Sequence, residues 1–232
     1  MLSVSRILAA VSVLLLFGLT ANKGYAAEPF EALVIGLEYP PFVSMKVPGY
    51  GKAVRALRHR LPENWQIRMR MLPSARASTI LRNSDDWLSS FFPPREGDTH
   101  IRKLIVQGDD IRYSLFRRRE PGDFRWASLS ELAGSTVAST RTLSDSPLKK
   151  MFTEAGMTFI PVNDIGQGLM MLVAGRTDYL LTAEDTGFYY ADMNAIDHKR
   201  LQFADTIIEH FPIIVYLNTR HPQAQEAAKI LQ

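Results

Sequence analysis

Apolar and polar positions change period repeatedly along this chain, and each change marks an element. Leu33 to Leu37 is an unbroken run of apolar β-formers that predicts a buried strand. It must stop before Pro40-Pro41, because proline lacks the N–H that a sheet ladder needs. Tyr39 and Phe42 flank that pair at the strand's carboxyl end, the side on which open α/β sheets bind ligands. Gly49 to Leu61 sets Val54, Leu57 and Leu61 at helical spacing and is stopped by Pro62. Gln66 to Leu72 alternates, with Ile67, Met69 and Met71 on one face of a half-buried strand. Ser74 is placed to N-cap a helix reaching Asn83. Trp87 to Phe92 reads as a third strand, halted by Pro93-Pro94. This βαβαβ succession predicts a parallel sheet with helices on its faces and both proline pairs at one edge.

A second alternating set follows. A strand at Arg112 to Phe116 leads out of the first unit, and Pro121-Gly122 breaks the chain. A short helix at Ser128 to Leu132 and a strand at Ser135 to Ser139 come next. They are followed by a helix from Ser144 to Ala155, a strand from Thr158 to Val162 and a helix from Gly166 to Ala174. Tyr179 to Leu181 and Ile213 to Leu217 are strand-like; Asp185 to Met193 and Gln223 to Leu231 are helical. The fold class is therefore α/β.

Residues 1 to 26 do not belong to this pattern. Arg6, an apolar stretch from Ile7 to Thr20, and Gly24-Tyr25-Ala26 have the form of a cleavable secretory signal cut after Ala26. The rival reading, a retained anchor, needs about 20 apolar residues, more than this stretch supplies. Removing Arg6 and Lys23 from the 27 basic residues leaves 25 against 24 acidic ones. That near-neutral balance gives no electrostatic case for nucleic acid, and Arg117-Arg118-Arg119 reads as solvated positions at a strand end. The chain has no cysteine, which excludes a thiol nucleophile, a thiolate metal site and disulfide stapling. A freely diffusing, monomeric periplasmic protein of a Gram-negative cell is the simplest expectation.

Four segments, in this order, carry a family resemblance: Glu38-Tyr39-Pro40-Pro41-Phe42, Leu72-Pro73-Ser74-Ala75-Arg76-Ala77, the stretch from Phe116 to Ser139 containing Ser-Leu-Ser-Glu-Leu-Ala-Gly, and Leu169 to Asp178 ending in Ala-Gly-Arg-Thr-Asp. Across residues 31 to 220 the chain resembles the extracellular solute-binding proteins that include the amino-acid-binding subunits of ABC importers. The resemblance implies a type II periplasmic-binding fold of two lobes, each a mainly parallel sheet flanked by helices, closing on a ligand. It implies a first lobe at 27–116, a second at 117–204 and a return to the first at 205–232. The last helix would be missing, because the chain stops at Gln232 inside what looks like the penultimate one.

Tyr39 and Phe42 are candidates for a flat apolar wall, or for packing of their own lobe's edge. Arg95, after the second proline pair, is the resemblance's candidate for holding a carboxylate by two parallel hydrogen bonds; Arg102 competes with it, and pairing of Arg95 with Glu96 is the bland alternative. Arg76 opens a helix, where a cation opposes the helix dipole. Thr140 and Thr142 lie between a strand and a helix N-terminus, a place suited to anions. In amino-acid binders of the family an acid follows the Gly-Arg-x-Asp segment by five residues; here Ala183 stands there and Glu184 and Asp185 follow, which argues against a standard α-amino acid ligand.

The leading expectation is a binding protein, not an enzyme, that takes a small anionic or zwitterionic solute and delivers it to the membrane permease of an ABC importer. A ligand-sensing partner of a membrane receptor is the alternative, and a periplasmic dehydratase-like enzyme a third. No cofactor and no metal are expected: His59, His100, His198, His210 and His221 show no ligand spacing.

Overall fold

The structure is a computed structural model that describes residues 29–95, 97–140 and 147–232. The signal-peptide reading, Thr142 and the start of the helix expected from Ser144 lie outside these residues. Strand β1 (Phe30–Gly36), helix α1 (Lys52–Arg60), strand β2 (Trp65–Met71), helix α2 (Ser74–Asn83) and strand β3 (Ser89–Ser90) come first. β1 pairs in parallel with β2 on one side and β3 on the other. Its alternation sends Ala32 and Val34 into a core with Val54 and Leu57 of α1. The intervening Leu33 and Ile35 pack with Ala77 and Leu81 of α2 and with Trp87. A strand buried on both faces is what a continuous apolar run encodes.

The second set has the same plan. Strand β5 (Thr136–Thr140), helix α3 (Pro147–Glu154), strand β6 (Thr158–Val162), helix α4 (Ile165–Val173), strand β7 (Tyr179–Ala183) and helix α5 (Glu184–Met193) follow in order. β5 lies between β6 and β7, parallel to both. Ala138 and Leu180 face α4, whereas Val137 and Leu181 face Phe124, Trp126 and Phe152. Ser128 begins the short helical turn Leu129–Leu132 with a reciprocal capping box to Glu131.

Between the two sets run β4 (Ile101–Arg118, 18 residues) and β9 (Glu209–Asn218). β4 pairs with β9 from Ile101 to Tyr113 and then with β7 from Tyr113 to Phe116. A short β8 (Leu201–Phe203) lies against its end, and α6 (Ala224–Ile230) closes the described chain. The two sheets expected from the sequence are therefore joined edge to edge into one nine-stranded sheet, with eight strands on one path and β8 to its side on β4. The joint is made by the two connecting strands, and the cores stay separate on either side of it.

Three local expectations need correction. Ser74 is the first helical residue of α2 and Pro73 holds the cap position without a side-chain bond; proline's fixed backbone angle suits that entry. The strand at Trp87 to Phe92 is reduced to Ser89–Ser90, because the Ser90 hydroxyl bonds the N–H and C=O of Phe92 and turns the chain away. The strand expected from Arg112 begins at Ile101. Its polar residues, Arg102, Lys103 and Gln107 among them, hid it, since they lie exposed while Leu104 and Val106 point into the core.

Candidate ligand-binding site

The carboxyl ends of β1 and β7 face each other across the connecting strands. After β1 the chain turns at Pro40-Pro41, a cis bond, and Tyr39 and Phe42 stack at a centroid distance of 5.9 Å. Two N–H groups of the first turn of α1 donate back to this loop: Lys52 N to the Pro41 carbonyl and Ala53 N to the Phe42 carbonyl, both at 2.9 Å. Gly51 allows that approach. Its φ is +101°, and a Cβ there would sit 2.4 Å from the Phe42 oxygen. The loop thus caps the helix with its own carbonyls and is held rigidly over the cleft.

Opposite it, the second lobe presents hydroxyls. Ser139, Thr182 and Thr186 are buried at the ends of β5 and β7 and in the first turn of α5, and none makes a hydrogen bond of ordinary geometry among the described residues. Two phenols from the other side come toward them. Tyr39 approaches Thr186, Thr182 and the Ala183 backbone; burial pushes its pKa up, which those contacts oppose. Tyr113 approaches Ser139, and its pKa is raised chiefly by burial and further by the neighbouring Tyr39. Both phenols stay protonated at neutral pH and can donate or accept.

Two ion pairs bracket this polar centre. Lys52 Nζ lies 2.7 Å from Asp185, and Arg112 Nη1 lies 2.8 Å from Glu184. Each joins a cation of α1 or β4 to an acid in the first turn of α5. That helix starts at Ala183 without a side-chain cap, so the two carboxylates also complement its dipole. A cavity of about 300 Å³ opens beside Tyr39, with Phe42, Phe91, Pro93, Ile111 and Tyr216 in its wall. A second, of about 610 Å³, lies against Tyr113, Leu148, Met151, Ile208, Glu209 and Phe211. Arg112 stands in sequence between residues that line the two.

The structure thus brings Tyr39, Phe42, Glu184 and Asp185 to one junction, and Thr140 ends β5 beside Ser139. The three arginines expected there are elsewhere. Arg95 is exposed, and its N–H donates to Asp98, whose carboxylate holds Arg82 in the last turn of α2. Desolvation pushes that carboxyl's pKa up, but the hydrogen bonds from the Arg95 N–H and the Arg82 side chain, with the charges of Arg82 and His100 adding, hold it below its ordinary value. Arg102 is exposed near the start of β4, ten residues and on the order of 30 Å of strand from Arg112. Across β9 and β3, Arg102 lies level with Val34 inside the sheet, short of the loop that carries Tyr39, which the sequence spacing could not show. Arg76 is exposed in the first turn of α2. None of the three lines either cavity. Sequence reading missed Lys52, Arg112, Tyr113, Ser139, Thr182 and Thr186; only the position of Thr182 and Thr186 around Ala183 offered a signal.

No protein-family model matches the chain, and no curated protein matches it. Solved structures do. The GluR0 ligand-binding core from Nostoc punctiforme in complex with L-glutamate matches with a TM-score of 0.58 at 15% identity, over 86% of this chain and 91% of that one. The arginine-bound form of truncated ArgBP from T. maritima matches at 0.56 and 15%, over 87% and 92%. A histidine kinase sensor domain with similarity to periplasmic binding proteins matches at 0.54 and 17%, over 87% and 88%. At such identities the likeness is one of fold. The chain has the two-lobed type II periplasmic-binding fold, and among the described residues no helix is long and apolar enough to cross a membrane.

Proposed function

We propose that this protein captures a small zwitterionic or anionic, amino-acid-like solute between its lobes and hands it on unaltered. The observation that carries the reading is the cluster of buried hydroxyls of Ser139, Thr182 and Thr186, none of them in ordinary hydrogen-bond geometry, which the phenols of Tyr39 and Tyr113 approach from the other side. A buried hydroxyl without a partner costs about 1–3 kcal/mol, and a native fold that keeps three together calls for an explanation. A polar ligand group that completes their hydrogen bonds supplies one. The charges around them fit such a ligand: Lys52 and Arg112 offer a place for a carboxylate, Glu184 and Asp185 one for an ammonium. Those side chains are one-third to one-half exposed, so each existing pair is worth less than about 1 kcal/mol and a zwitterion can exchange with it cheaply. In this reading the lobes are 27–116 and 117–204 with a return at 205–232, and the exchange of β4 from β9 to β7 at Tyr113 supports a crossing close to those limits.

Secretion by a cleaved signal and delivery to an ABC importer complete the first reading. A second reading, docking of the loaded protein on a membrane sensor, draws support from the resemblance to a histidine kinase sensor domain and from the two ion pairs by which the lobes already hold each other. Native mass spectrometry of protein purified from its own host tests the shared premise. A retained amino acid, dicarboxylate or related solute is expected, with matching thermal stabilisation on re-addition. No retained solute, together with no stabilisation by a panel of such compounds, overturns it; turnover of the retained compound would make the protein an enzyme.

A further inference from the structure

We propose that the outer pole of the second lobe is a binding site for phosphate-bearing anions, independent of the interlobe site. A cavity of about 390 Å³ there is lined by Arg118, Arg119, Val173, Lys199 and Arg200, four cations and no acid. It lies at the far end of β4, which runs antiparallel to β7, so it is at the opposite end of the lobe from Ala183 and the interlobe junction.

The cations are positioned by backbone contacts. Arg118 Nη1 donates to the carbonyls of Leu172 and Thr177, both at 2.8 Å, at the end of α4. That fixes one guanidinium, half-buried, at the rim. The Arg119 N–H donates to the Arg200 carbonyl at 2.8 Å, which sets these two residues side by side. Lys199 sits in the same turn, its N–H held by the Asp197 carboxylate at 2.9 Å.

The neighbouring acids are committed elsewhere. Asp178 accepts from the N–H and hydroxyl of Thr136, both at 2.8 Å. Asp197 caps the turn, Asp192 pairs with His198, and Glu120 pairs with Arg117. Among the described residues Arg119, Lys199 and Arg200 have no carboxylate partner. Like charges held this close repel, and an anion with several oxygens relieves that repulsion through charge-assisted, forked hydrogen bonds. A phosphate group suits a concave site of this size better than a flat acidic surface does.

The phosphate could be free or carried by an anionic phospholipid headgroup, and the experiment separates the two. At low ionic strength the full chain is titrated calorimetrically with inorganic pyrophosphate, and is floated with vesicles of phosphatidylglycerol in phosphatidylcholine. Saturable binding to one or both is expected, weakened on the order of tenfold or more in the Arg119→Gln, Arg200→Gln double variant. Both substitutions are at exposed positions, so thermal stability and binding at the interlobe site should be unchanged. Pyrophosphate alone assigns a free anion, and vesicle binding, with or without pyrophosphate, assigns the headgroup. Absence of both, or equal binding by the double variant, overturns the proposal.

Discussion

The two lobes meet through tips that answer the same structural problem in opposite ways. In the first lobe, the loop after β1 satisfies the start of α1 with the carbonyls of Pro41 and Phe42, leaving an aromatic wall with cations at its edge. In the second lobe, α5 follows β7 directly from Ala183 without a side-chain cap. Its first turn carries the acids and, with the ends of β5 and β7, the unpartnered hydroxyls. One tip is finished internally and offers shape and positive charge; the other is unfinished and offers hydrogen bonds and negative charge. The proposed site between them would draw its polarity from both tips together.

The strongest test of this contrast is packing behind the second tip. Phe116 is fully buried against Phe188 and Phe203, and Phe116→Ala should cost about 3–5 kcal/mol in urea unfolding. A loss under about 1 kcal/mol would mean that α5 is not held by this ring. Gly187 is next. A Cβ there would stand 2.2 Å from the Phe116 ring, so Gly187→Ala should destabilise by roughly 1–3 kcal/mol although alanine favours a helix by about 1 kcal/mol. A stabilised variant would show that the ring can move aside.

The hydroxyls separate stability from binding. Thr182→Val with Thr186→Val replaces buried groups that lack partners, so stability should stay level or rise by about 1 kcal/mol, while affinity for the retained solute falls on the order of tenfold. Loss of both together would mean that the hydroxyls bond within the protein. Asp185→Asn, in contrast, should change stability by less than about 1 kcal/mol because its pair is solvent-screened, and a larger loss would mark the pair as a true clasp.

The smallest effect concerns pH. The N–H of Thr136 holds the Asp178 carboxyl below the usual carboxylate range, partly opposed by desolvation, with the Thr136 hydroxyl and Arg118 adding to the lowering. A depressed folded-state pKa gives stability that is present above the unfolded value and is lost as pH falls toward the folded one. Asp178→Asn should therefore narrow the gap to wild type as acid is added. Tyr113 has the opposite sense: its raised pKa means stability is kept below the ordinary phenol range and lost above it, so Tyr113→Phe should resist alkaline unfolding better than wild type.

Much of the architecture was legible in the sequence because both three-stranded cores obey one rule. β1, β5 and β7 are apolar on both faces, the helices between them carry one apolar stripe, and proline or glycine marks the ends of β1, α1, β2, α3 and α4. The long β4 was not legible before Arg112, since its start is polar at Arg102, and Lys103 and Gln107 alternate with Leu104 and Val106 in a strand that covers only one face. For the candidate site, the meeting of Tyr39 and Phe42 with the acids after Ala183 at one junction was accessible because strand ends can be located from sequence. Arg95 and Arg102 were misplaced because nothing local states which way the chain leaves the tip of β3.

The amino-acid order alone determined a twofold α/β alternation, the two proline stops and the chemistry available at each strand end, since these follow from local periodicity and backbone geometry. Tertiary structure decided which charges meet: Lys52 is 133 residues from Asp185, and Arg112 is 72 from Glu184. Only the pairing of β4 first with β9 and then with β7 brings them within reach. Direction and register of long-range strand pairing, rather than residue type, set that proximity.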